Sequence, residues 1–155
     1  MQTARTHKPI PTLLSHSVIP VALGTTIYVF FGSESLAVFR WLDLLGLRDS
    51  ISSLRAHTFF AAPRLPEWIR YSFPDGLWVY SITAAMCVIW KDSTSVHKLP
   101  WIAIGFVAAS TAELGQMVRL VPGTFDPIDL LSYSLAFILA YIFAYHAPLH
   151  RRLHN

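Results

Sequence analysis

A chain of 155 residues that is 54% hydrophobic and only 14% charged falls well short of the roughly 25% charge of an ordinary soluble domain. With a mean hydropathy of +0.46, it is expected to be a polytopic membrane protein forming one compact domain. The net charge is +3, but the basic residues are scattered with no run of five, which excludes a nucleic-acid patch.

Arg5 and Lys8 precede an apolar run from about Leu13 to Phe31. The run resembles a signal peptide, yet Phe30-Phe31-Gly32-Ser33 puts bulky aromatics where cleavage needs small residues. An uncleaved first transmembrane helix is expected, with Pro20 in its early turns, where a missing N–H costs least. Residues 35–47 form a shorter apolar run that suits an interfacial or re-entrant helix, in which Arg40 and Asp43 can pair at i, i+3. From Arg48 to Ser72 the chain is polar and Arg-rich. Pro63 and Pro66 break any long helix there, and Pro66-Glu67-Trp68 reads as a helix start. Trp68 and Tyr71 suit the headgroup level.

Pro74-Asp75-Gly76 reads as a turn, because Pro fixes φ, Asp bonds its own backbone and Gly accepts positive φ. A second span follows from about Leu77 to Trp90 and contains the single cysteine, Cys87, which cannot close an intrachain disulfide. The short polar loop Lys91–Lys98 returns the chain antiparallel into a third span, about Leu99 to Val118. The last span runs from about Ile128 to Tyr145, and a basic tail with Arg151 and Arg152 follows. The expected fold is therefore all-α, with four transmembrane helices and an interfacial or re-entrant helix in the first loop.

Basic residues divide evenly between the two faces. The short loops and tails carry most weight, and they favour cytoplasmic N- and C-termini in the plasma (inner) membrane. If residues 35–47 spanned, the polar motif below would move to the cytoplasmic face. In either case the second and third spans form a hairpin, so Asp75 and the Pro122-Gly123 turn share one face. Glu113 lies about 7–8 Å below it at 1.5 Å per residue. Asp75, Glu113, Gln116, Arg119, Asp126 and Asp129 are thus expected at one rim.

A carboxylate inside a membrane helix costs about 2.5–3.5 kcal/mol on insertion scales, so Glu113 marks a functional site by default. Its plain alternative is a buried Glu bonded to Gln116, Ser110 or Arg119. Asp126-Pro127-Ile128-Asp129 is first of all a helix start, with Asp at the N-cap and Pro at N1. Asp75 reads as a turn or cap residue, and Arg119 as an interfacial snorkel or a clamp for an anionic group. Two or three carboxylates at one rim suit a hard divalent cation. The histidines show no zinc pattern, and His146 and His150 read as interfacial tail residues. No nucleophile motif, P-loop or paired-Cys motif occurs, and no cofactor is indicated.

Glu113-x-x-Gln116, then Pro122-Gly123-Thr124-Phe125-Asp126 and Asp129 leading into the last span, resembles the VanZ-like family of small membrane proteins. The likeness covers about 25 residues. Thr124 stands where that family often has Arg, Ser132 or Tyr133 where it often has Asn, and Asp75 lacks the His four residues on. The resemblance implies an envelope-associated multi-helix membrane protein. On that reading a polar pocket at the outer face binds a lipid-linked or cell-wall-type ligand. Glu113 is its candidate acid/base, Gln116 orients it, Asp75, Asp126 and Asp129 add acceptors, and Arg119 meets an anionic group. The rival expectation is a non-enzymatic membrane subunit that assembles with itself or a protein partner.

Overall fold

The computed structural model describes residues 9–34, 37–58 and 64–145, and every element among them is helical. Arg5, Lys8, Pro63, His146, His150, Arg151 and Arg152 lie outside the described residues, as do positions 35 and 36 of the expected interfacial segment. The first helix, α1, runs through Pro9–Leu13, a π-turn at Leu14–Val18, and Ile19–Phe31. Pro20 is therefore in mid-helix rather than in the early turns. A proline there removes a donor and crowds the carbonyl four residues back. The preceding turn widens to receive it, and the Ile19 N–H reaches back five residues to the Leu14 carbonyl.

Two short helices follow, α2 at Ala37–Leu44 and α3 at Arg48–Thr58. Gly46, at φ 66°, ends α2. Leu47 N–H bonds Leu42 O at 2.9 Å and Gly46 N–H bonds Asp43 O at 3.0 Å, which satisfies two orphan carbonyls in a Schellman motif. Asp43 pairs with Arg48 and not, as expected, with Arg40. The start of the polar, Arg-rich stretch forms α3, which folds back on the end of α1. Its Arg55 donates to the carbonyls of Val29 and Gly32, and Thr58 donates to Phe30 O at 3.4 Å. A cation at the negative end of the α1 dipole is favourable. The guanidinium also lies 4.7 Å from the centre of the Phe39 ring, tying in α2.

The turn expected at Pro74-Asp75-Gly76 is not formed. After the single turn α4 (Glu67–Arg70), helix α5 runs Ser72–Ile89 and takes all three residues into its first turns. Pro74 occupies a first-turn position whose N–H has no partner within the helix, and Asp75 suits the positive helix end. Gly76 packs against α7 (Pro127–Ala140), where an added methyl would meet Ser132 O at 3.4 Å. The span expected at 77–90 therefore starts earlier. Helix α6 covers Lys98–Met117, close to expectation, and α7 continues through a π-turn at Tyr141–Tyr145. Three helices are long and apolar enough to cross a membrane: Ile10–Phe31, Glu67–Ile89 and Pro127–Ala144. Helix α6 has 20 residues, about 30 Å of length, but falls short in apolarity.

Helix α5 is the hub, packing against α1, α6 and α7. Half of its most apolar window is buried, against 11% for that of α1. The contacts use small side chains, as expected where lipid supplies no hydrophobic drive between helices. Ala84, Cys87, Ile102, Ala140 and Ala144 form one core cluster, and Val79, Tyr133 and Ala136 a second. At Gly24 of α1 a methyl would lie 3.1 Å from both Pro74 O and Trp78 Cδ1, so α1 approaches α5 there with no room for a side chain. Gly24→Val should destabilise the bundle by about 1–3 kcal/mol through overpacking. Thermal unfolding in detergent measures this, and an unchanged midpoint would refute the close contact.

Candidate functional site

The carboxylates gather where α1 and α6 end and where α5 and α7 begin. Asp75, in the first turn of α5, accepts a hydrogen bond from the Tyr28 hydroxyl of α1. Tyr133 of α7 lines a cavity together with Asp75. On α7, Asp126 is the N-cap and its Oδ1 accepts the Ile128 N–H at 2.8 Å, as the Asp-Pro start predicts. Asp129 sits in the first turn of the same helix and lines a cavity with Ser72 of α5. Its Oδ1 is buried with no hydrogen-bond partner.

Glu113 is 2% exposed near the end of α6. Its Oε1 accepts the Asp126 backbone N–H at 2.6 Å. The partner is thus a backbone amide in the next connection, and not Gln116, Ser110 or Arg119; Ser110 Oγ is itself buried without a partner. This charge-assisted bond clips the end of α6 to the start of α7, and breaking such a bond costs about 1.5–3 kcal/mol.

Gln116 turns toward the loop: a methyl on Gly123, at φ 140°, would lie 2.5 Å from its Oε1. Arg119 does not join the carboxylates. It is exposed and stands at φ 60° in a second Schellman motif, with Arg119 N–H to Gln116 O at 3.0 Å and Leu120 N–H to Gly115 O at 2.8 Å. The structure therefore brings together Asp75, Glu113, Asp126 and Asp129, with Gln116 in the last turn of α6 facing the adjoining loop and Arg119 apart. Tyr28, Tyr133 and Ser72 are the residues sequence reasoning missed. Asp129 and Tyr133, at i, i+4 on one helical face, carried the one signal that pointed to a partner.

Electrostatically the cluster is acidic. None of the ion pairs among the described residues reaches these four carboxylates. The positive ends of α5 and α7 supply the counter-field, with Asp75, Asp126 and Asp129 in their first turns or caps. Beside them opens a cavity of about 340 Å³. Glu67, Tyr71 and Ser72 line one wall, and Thr124, Phe125, Asp126 and Asp129 the other. Among the described residues no three His, Cys, Asp or Glu side chains converge so as to hold a metal ion. Deeper in the bundle, His16 Nδ1 and the Tyr80 hydroxyl lie 2.7 Å apart, which satisfies both groups inside the apolar layer. No family model, no curated protein and no solved structure matches the chain.

Two outcomes test this geometry. A double-mutant cycle of Tyr28→Phe and Asp75→Asn, followed by thermal unfolding, should give a coupling of about 0.5–3 kcal/mol; additive effects would show that the two side chains do not interact. Arg119→Gly should raise stability by about 1 kcal/mol by relieving the left-handed backbone, and a loss of stability would place Arg119 in contacts beyond its cap.

Proposed function

We propose that this chain is a VanZ-like four-span protein of the bacterial inner membrane whose polar pocket, at the outer face, binds a lipid-linked or cell-wall-type ligand. The observation that carries the reading is the cavity of about 340 Å³ lined by Glu67, Asp126 and Asp129. It opens at the level where α1 ends and α5 and α7 begin, where a membrane-embedded ligand presents its polar group. Helix α6 is the fourth span. Its length suffices, and Glu113, which lowers its apolarity, is turned inward and bonded rather than presented to lipid. Mixed apolar walls with a few convergent polar groups are the usual character of a ligand site.

In this reading Asp126 and Asp129 accept hydrogen bonds from the ligand. Glu113 holds the α6–α7 connection in place, and any proton transfer it performs must pass through the oxygen not bonded to Asp126. Asp75, bonded by Tyr28, holds α1 to the head of α5 beside the site. Catalysis is not required by this arrangement.

Single cysteines at Thr124 and Ser95 in a Cys87→Ala background, labelled in intact cells with an impermeant thiol reagent, test the orientation. Labelling at Thr124 alone is expected; labelling at Ser95 alone would put the pocket on the cytoplasmic side. Purification in mild detergent with intact-mass determination tests the ligand. A monomer carrying a specific amphiphile is expected, whereas a ligand-free complex with another protein would establish the subunit role instead.

A further inference from the structure

We propose that the seam between α5 and α7 is a phospholipid site selecting a zwitterionic headgroup with a primary ammonium; the proposal rests on the ligand reading above and names the ligand class. Two cavities follow one another down this seam. The polar one is lined by Glu67, Asp126 and Asp129 with the aromatic walls of Tyr71 and Phe125. Below it lies an apolar groove of about 200 Å³ whose walls include Phe73 and Leu77 of α5 and Leu135, Ala136 and Leu139 of α7. The register makes them consecutive: Asp129, Ser132, Ala136 and Leu139 succeed one another on one face of α7. From Asp129 to Leu139 is about 15 Å along the helix, half of the roughly 30 Å hydrocarbon layer and so the depth of one acyl leaflet. Phe73 and Leu135, 40% and 55% exposed, border the groove on its open flank, so a chain enters sideways from the bilayer.

Two unsatisfied groups define the headgroup. Asp129 Oδ1 is a buried acceptor with no donor, and Arg70 Nε is a buried donor with no acceptor. Arg70 stands beside the polar cavity, 3.9 Å from Glu67 and with its guanidinium 5.3 Å from the centre of the Tyr71 ring. A primary ammonium donates to Asp129 and Asp126, while the phosphate of the same headgroup accepts from Arg70. An anionic headgroup without an amine meets three carboxylates and is repelled. A quaternary ammonium brings charge but no N–H to donate, and leaves the Asp129 oxygen unpaired.

The test exchanges the purified protein against phosphatidylethanolamine, phosphatidylglycerol and phosphatidylcholine of identical acyl chains and reads retained lipid by native mass spectrometry. Phosphatidylethanolamine should be retained roughly tenfold over the other two, the worth of one charge-assisted hydrogen bond. Asp129→Asn should level that preference while lipid remains bound. Leu135→Trp, which narrows the groove from its open flank, should lower retention of all three lipids alike. Asp126→Asn preserves the helix cap, since Asn caps as well as Asp, and serves if Asp129→Asn does not fold; it should weaken the same preference. Equal retention of the three lipids by the wild-type chain, or a preference untouched by the charge-removing variants, overturns the headgroup assignment and leaves the ligand reading standing. A wild-type protein that holds no lipid of any class overturns both.

Discussion

One carboxylate organises the polar end of this bundle. Asp75 receives a hydrogen bond from Tyr28 of α1 while sitting at the head of α5, and it lines a cavity with Tyr133 of α7. Helices α1, α5 and α7, which would share no hydrophobic driving force in lipid, meet at that level. The Tyr28 bond also sets the rotation of α1 against α5, because the two groups must face each other. With α5 so fixed, Gly24, Gly76 and the alanines of α7 meet it at close range, and the dry core below follows from that alignment. A buried polar group in such surroundings is costly unless its partners are supplied. That is why Tyr28 and Asp75 are best regarded as one unit.

The chain between the first and second spans closes the same face by a different device. Arg55 hangs α3 from the last carbonyls of α1, and its guanidinium covers Phe39. Glu113 does the corresponding work between α6 and α7, where a carboxylate accepts an amide. One connection is held by a cation on a helix C-terminus and the other by an anion on an N-cap amide, each matched to the sign of the local dipole.

Much of this was legible in the sequence because it is local. Apolar runs located the three helices long and apolar enough to cross a membrane, Asp126-Pro127 announced the start of α7, and the hairpin logic placed Asp75 on the same face as Glu113 and Asp129. What escaped is non-local or ambiguous. Pro-Asp-Gly serves a turn and a helix first turn equally well, and the packing of Gly76 against Ser132 decided between them. Arg55 caps carbonyls more than twenty residues away, which no periodicity reveals. Tyr28 counts simply as an interfacial aromatic until Asp75 is found beside it. Arg119 was read for its charge, whereas its backbone at φ 60° is what the fold uses.

The widened turn at Leu14–Val18 has a consequence for how this chain tolerates length changes. A π-turn amounts to one extra residue accommodated without breaking the helix. Removing one residue there would restore regular α-helix, at the price of the carbonyl clash at Pro20. It would also swing the N-terminal segment by about 100° relative to the rest, since each residue advances a helix by that angle. His16 would rotate away from Tyr80, and an imidazole now satisfied would face hydrocarbon. In this protein the helical phase of the first span, as much as its composition, decides which of its side chains lipid sees.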